Sequence, residues 1–308
     1  MDGELNVTYI TLGGHVKVEE YGYVYFFIMF TVYVLIICSN SIIVYIIWIH
    51  KNLHEPMYVF IAALSLNSLL FSAGIYPKLL IDFLSEKQVI AYSACLFQFF
   101  LFYTLGGSDS LLLAAMAYDR YVSICKPLRY PTIMRKSTVC MFLSLAWLLP
   151  PAEVAVAVVL SANRKLCSFT LTGIFCNNSV YKLQCVASKT ISIYGLIVML
   201  NLTLLPMFFI LFTYAKIFMI TYQSGREVRK KATETCLPHL LVLFAFSCLI
   251  AYDVIIARLK FNFSKTVRLI MTLQVVLYSP LFNPIIYGLK MKEITKHLKS
   301  LFFQGKCI

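Results

Sequence analysis

Asp119 and Arg120 stand side by side where a long uncharged run meets a basic one. Leu111 to Ala117 carry no charge, while Lys126, Arg129, Arg135 and Lys136 follow closely. A charge at membrane depth is expensive and tends to mark function. Asp119 can neutralise part of Arg120, and the arginine's long stem can carry its guanidinium toward the interface. Position alone fits equally a helix end where two charges reach for water.

Other residues could also do chemistry. Asp109 is the deepest acid, eleven residues and about three helical turns before Arg120. It reads either as a cation or proton site or as a hydrogen-bonded structural acid. Asn283-Pro284 interrupts an apolar run, and a mid-span proline frees a carbonyl that Asn283 or a neighbouring helix could satisfy. A helix that bends at one place suits a switch. Cys95, Cys167, Cys176 and Cys185 fall on one proposed side and suggest two disulfides, with three pairings open. Asn6-Val7-Thr8 and Asn177-Asn178-Ser179 are glycosylation sequons. Asn201-Leu202-Thr203 matches too but lies inside a span, where no modification is expected.

Enzyme chemistry finds no support. The histidines at 15, 50, 54, 239 and 297 lack metal-ligand spacing. Gly13-Gly14 and Gly106-Gly107 are not phosphate loops. Gly106-Gly107 reads instead as thinning a helix wall, leaving room for a ligand or a close helix contact.

What must position these residues is a membrane bundle. The chain is 60% hydrophobic and 13% charged, with mean hydropathy +0.80, against roughly 45–50% and 25% for soluble domains. Spans are expected near residues 23–49, 57–80, 91–118, 138–160, 190–220, 235–257 and 266–289. Pro56 suits a helix's first turn. Pro150-Pro151 should kink or break span four. The organisation is an outer tail over 1–22, a membrane domain over 23–290, and a tail over 291–308. That last segment reads as a short amphipathic helix, with Lys292, Lys296 and Lys299 opposite Ile294, Leu298, Leu301 and Phe302, lying on the inner leaflet. Asp2, Glu4, Glu19 and Glu20 argue against a cleavable signal, so the first span should insert the chain.

Of the 27 Lys and Arg residues, sixteen fall on inner segments if the N-terminus is outside. The net charge of +13 sits in short loops, which favours headgroups of the lipid bilayer and a cytosolic partner over nucleic acid.

Several strings resemble one family. Met116 to Pro127 (MAYDRYVSICKP) resembles the inner end of the third helix of the rhodopsin-like (class A) G-protein-coupled receptors, in the form used by vertebrate, fish-like olfactory receptors. Leu53 to Tyr58 resembles their first inner loop, and Ser39-Asn40-Ser41 their first-helix asparagine. Lys231 to Leu240 resembles the inner end of their sixth helix, with Glu234 and Pro238 in place of the usual serines. Thr213-Tyr214 resembles the fifth-helix Ser-Tyr, and Ser279 to Lys290 (SPLFNPIIYGLK) the seventh helix.

The resemblance implies an all-α membrane protein, a seven-transmembrane helix bundle with a short amphipathic helix after span seven. It implies disulfides Cys95–Cys176 and Cys167–Cys185, with glycosylation at Asn6 and Asn177. The coupling switch would comprise Asp119, Arg120, Tyr121, Tyr214, His239, Asn283, Pro284 and Tyr287. The family usually has a glutamate at the position of Asp109 and an aspartate where Ser68 stands. A sodium or proton site at Asp109, with Ser68 and Asn283 nearby, follows as an expectation.

Ligand pockets between helices are apolar with a few polar groups. Phe99, Phe102, Tyr103 and Gly106 share one face of span three by their spacing. Family position adds Val198, Asn201, Ser247, Ala251, Val254 and Thr272. Arg258, Lys260, Lys265 and Arg268 could form an outer electrostatic collar, and Glu153 and Asp253 could meet a cationic group. The implied function is an odorant receptor for a small, water-soluble odorant. It would activate the stimulatory olfactory heterotrimeric G protein and raise cyclic AMP, in the plasma membrane of olfactory cilia. A non-olfactory receptor of the same class is the alternative. A transporter or channel would need inverted repeats and a polar path, and the sequence has neither.

Overall fold

A computed structural model describes residues 8–222, 225, 236, 240 and 264–303. Helices α1 (Val18–Ile49), α2 (Pro56–Leu84), α3 (Tyr92–Cys125) and α5 (Lys136–Ala162) come first, with the short α4 (Tyr130–Ile133) on the inner turn. The next crossing runs α6 (Lys189–Met199), a wide turn (Leu200–Leu204) and α7 (Leu205–Tyr222). The last elements are α8 (Lys265–Lys290) and α9 (Lys292–Phe303). Among the described residues, six helices are long and apolar enough to cross a membrane. The expected sixth span lies outside the described residues, apart from Cys236 and Leu240.

α3 is the hub and packs on α2, α5 and α7. Of its most apolar window 67% is buried, against 17% for Lys189–Tyr222. That contrast puts α3 in the middle of the bundle and leaves α6–α7 with an apolar face suited to lipid.

The end of the bundle that holds the N-terminal segment, the outer end in the expected orientation, carries a small sheet that the all-helical expectation omitted. β1 (Tyr9–Leu12) pairs antiparallel with β2 (Val89–Ala91) and parallel with β3 (Thr170–Leu171). The alternation Tyr9, Ile10, Thr11, Leu12 puts Ile10 and Leu12 inward, a period-2 signal within the expected tail. Gly14 then crosses Gly173 so closely that a Cβ would lie 2.5 Å from the Gly173 backbone. The first helix accordingly begins at Val18, not Tyr23.

The prolines of span four do not break the helix. α5 runs unbroken through Pro150 and Pro151. Proline keeps a helical φ, and a membrane helix tolerates the lost N–H where neighbours re-satisfy the carbonyls. In the fifth crossing, Pro206 follows a π turn over Leu200–Leu204. A proline ring crowds the carbonyl four residues back, here that of Leu202, and a widened turn relieves the clash.

α9 buries Ile294 and part-buries Leu298 against the bundle, while Lys296 and Lys299 face outward. Thr295 Oγ1 donates to the Gly288 carbonyl at 2.7 Å, tying α9 to the end of α8. His297 packs against His50 with ring centroids 3.7 Å apart and the rings tilted by 41°. Partial desolvation and the neighbouring His50 lower the His297 pKa.

Candidate functional site

The outer half of the bundle encloses a cavity of about 720 Å³, within the usual 300–1,000 Å³ range of ligand sites. Phe99, Phe102, Tyr103 and Gly106, which share a face of α3 by their spacing, line it together with Val198. Their rings form a connected aromatic wall. Phe99 lies 4.6 Å and Phe102 5.0 Å from Tyr103, and Phe102 lies 4.8 Å from Phe175, centroid to centroid. The adjacent glycines divide their work. A Cβ on Gly106 would meet nothing within 4 Å, whereas one on Gly107 would lie 3.0 Å from Leu202 and 3.1 Å from Pro150. Gly106 leaves ligand space, and Gly107 lets α5 and the wide turn approach α3.

Other expected pocket residues are placed elsewhere. Asn201 does not line the cavity; its Nδ2 donates to Glu153 Oε1 at 3.0 Å, joining the fifth crossing to α5. The amide satisfies one oxygen of a membrane-depth carboxylate, while Glu153 Oε2 is buried with no hydrogen-bond partner among the described residues. Thr272 is buried without lining the cavity. Ser247, Ala251 and Val254, like Asp253, lie outside the described residues. Of the expected collar, Lys265 and Arg268 open α8 and do not line the cavity, and Arg258 and Lys260 lie outside the described residues.

The outer loop supplies what sequence reasoning missed. Asn178, Tyr181, Lys182 and Gln184 line the cavity from above. Two disulfides hold them there, Cys95–Cys176 to the top of α3 and Cys167–Cys185 within the loop. Gln98 Oε1 accepts from the Cys176 amide at 3.0 Å, and the Tyr103 hydroxyl accepts from the Asn178 amide at 3.0 Å. Burial pushes the Tyr181 phenol up to about 12, so it stays a neutral hydroxyl. The available signal was the three-cysteine loop, since residues next to a bridged cysteine are brought to the bundle mouth. Asn177 is half-buried, and its Oδ1 accepts from the Ser179 amide at 3.1 Å, capping a short 3-10 turn. Asn6 lies outside the described residues.

Asp109 and Ser279 both line the cavity and are bonded to each other. Asn67 Nδ2 donates to Asp109 Oδ1 at 2.7 Å, and Ser279 Oγ donates to Oδ2 at 2.6 Å. Asn283 Nδ2 in turn donates to Ser279 Oγ at 3.2 Å. Ser68 instead donates to the Leu64 carbonyl. Asn283 thus reaches Asp109 only through Ser279, and the side-chain oxygens of Asn67 and Asn283 are buried with no hydrogen-bond partner among the described residues. The carbonyl of Pro280, freed by Pro284, accepts from Asn40 Nδ2 at 2.9 Å. The first-helix asparagine, not Asn283, thus satisfies the carbonyl that Pro284 leaves free.

At the inner end Asp119 is fully buried. Arg120 Nη2 lies 3.4 Å from Asp119 Oδ2, and Tyr130 on α4 donates to Oδ1 at 2.8 Å. Burial and the Asp119 carboxylate raise the Tyr130 pKa well above its ordinary value. Tyr214 and Tyr287 are buried in the same inner core cluster, and Asn283 is buried just above with Pro284 beside it. Tyr121 packs beside Tyr118 and under the Lys126 ammonium. His239 lies outside the described residues. Leu128, between Pro127 and Arg129, is 96% exposed on the inner turn.

The family model "Olfactory receptor" matches residues 29–305. The human "Olfactory receptor 51E1" is 33% identical over 301 residues, covering 97% of this chain and 95% of its own length. The human "Olfactory receptor 11A1" is 32% identical over 304 residues, with 97% and 95% covered. The mouse "Olfactory receptor 4B13" is 30% identical over 309 residues, with 99% of each chain covered. These matches run across the sixth span, so the six described crossings belong to a seven-helix bundle. An aromatic outer cavity, a buried polar core and an Asp-Arg inner lock are thus laid out on one bundle, and the chain belongs to the olfactory receptor family, multi-pass membrane receptors of the rhodopsin-like class without enzymatic activity.

Proposed function

We propose that this receptor binds a small, water-soluble odorant in the outer cavity and activates a stimulatory olfactory-type G protein, raising cyclic AMP. The observation that carries the reading is the donor chain Asn283–Ser279–Asp109, which links the cavity lining to the Asn283-Pro284 step of α8. A ligand that favours one arrangement of Asp109 and Ser279 changes what holds that step. A ligand shifts an equilibrium only through such differential contacts. Below it, Tyr287 and Tyr214 share the buried inner core that borders Asp119 and Arg120. Activation would free Arg120 from Asp119 as span six swings outward, opening a cleft for the G protein. The exposed Leu128 and the basic inner segments support this face as the docking side.

The proposed orientation puts the N-terminus, the sheet and both disulfides outside. It is supported by the oxidising chemistry that disulfides need. The proposed location is the plasma membrane of olfactory cilia. Asn6 and Asn177 are proposed glycosylation sites; the half-buried setting of Asn177 favours Asn6.

The test is a screen of water-soluble odorants against the surface-expressed receptor with a cyclic AMP reporter. Dose-dependent signals that vanish when the stimulatory G protein is deleted support the proposal. Ligand-driven current in cells lacking G proteins overturns it.

A further inference from the structure

Asp109 is a buried acid with no ion-pair partner among the described residues, and Lys182 lines the same cavity from the loop. The ion pairs among those residues are Lys17–Glu20, Lys78–Asp82 and Arg120–Asp119. Its own helix has no Lys or Arg from Phe99 to Asp119, and the sequence has none over 232–257 or 269–289. Both carboxylate oxygens accept, from Asn67 and from Ser279. That uses two of roughly four acceptor positions on a carboxylate. Asp109 nevertheless lines the cavity, beneath an aromatic wall that includes Phe102 and Tyr103. A carboxylate ionised there without a counter-ion is costly, and an incoming charge of opposite sign offsets that cost.

We propose that the cavity selects ligands with a protonated amine on an apolar body, with the ammonium against Asp109 and the body along Phe102, Tyr103 and Gly106. This inference rests on the receptor reading above and deepens it. An ammonium fits better than a bare metal ion because it needs only acceptors. Three N–H groups can be shared between Asp109 and the Ser279 oxygen, with no ring of ligands required. The open space at Gly106, and likewise at Gly195 on the facing helix, accommodates the body. Charge-assisted hydrogen bonds in a water-poor site separate the amine from a neutral isostere.

The test uses full-length receptor and the same reporter. For each of several carbon skeletons, the primary amine, the alcohol and the carboxylate are compared at pH 7. The amine is expected to be at least ~10-fold more potent than its alcohol, about what one charge-assisted bond supplies. Asp109→Asn should erase that ratio, read as amine against alcohol on the same variant. If the variant fails to reach the surface, the wild-type comparison decides alone. Equal or better potency of alcohols or carboxylates on wild type overturns the amine assignment and leaves the receptor reading standing. No signal from any compound, with the G protein present and the receptor at the surface, counts against both. Replacing extracellular sodium with sucrose separates the two cation sources. Increased amine potency supports a shared site, and sodium-dependent basal signalling with no amine response overturns the proposal.

Discussion

The Tyr130 hydroxyl donates to Asp119 Oδ1 at 2.8 Å, so a residue on the inner turn holds the acid of the Asp-Arg pair. Arg120 approaches the other oxygen at 3.4 Å. The lock therefore has three members. Removing a buried hydrogen bond to a charged group costs about 1.5–3 kcal/mol. If that cost falls mainly on the resting form, Tyr130→Phe should raise ligand-independent cyclic AMP roughly tenfold at matched surface expression. Unchanged basal signalling would mean that Tyr130 only packs the turn.

The two glycines of α3 should separate on mutation. Gly106→Val adds methyl groups to open cavity space, so surface expression should hold while potency for bulky ligands falls. Gly107→Val drives them into Leu202 and the rigid Pro150 ring. Overpacking of this kind costs about 1–3 kcal/mol, and the readout is reduced surface expression and thermal stability. Equal expression of the two variants would refute the division.

Asn40 spans two helices to reach the Pro280 carbonyl. Asn40→Leu should lower thermal stability in detergent, by about 1–2 kcal/mol for a membrane-buried hydrogen bond. The same change in Pro284→Ala, where a backbone N–H can serve that carbonyl, should cost less. Equal losses in both backgrounds would show that the bond adds little.

His15 makes the outer sheet acid-sensitive. Burial, with the nearby Lys78 charge, lowers its pKa from 6.5 to about 4, although its contact with the Leu12 carbonyl opposes this. Its folded pKa lies below the unfolded one, so protonation favours the opened segment. The stabilisation is complete above pH 6.5 and is lost as pH falls from there toward 4. Hydrogen exchange at Tyr9–Leu12, corrected for intrinsic rates, should quicken between pH 7.5 and 5, by at most about tenfold per unit. His15→Phe should flatten that dependence. A wild-type profile already flat would place His15 in water.

The amino-acid sequence by itself determined the spans, the Asp119-Arg120 end and the aromatic face Phe99, Phe102, Tyr103. Lipid forces long uninterrupted apolar runs, and helical spacing brings residues three and four apart to one side. Those are local constraints, so a linear reading finds them. Only the tertiary structure decided partners distant in sequence. Asp109 takes Asn67 and Ser279, while Asn201 takes Glu153 and leaves the cavity wall. Tyr9–Leu12, read as tail, becomes the central strand of the outer sheet because two other outer segments stand within pairing distance. Each depends on how helices rotate and approach. Packing sets that rotation across the whole bundle, and no short stretch of sequence encodes it.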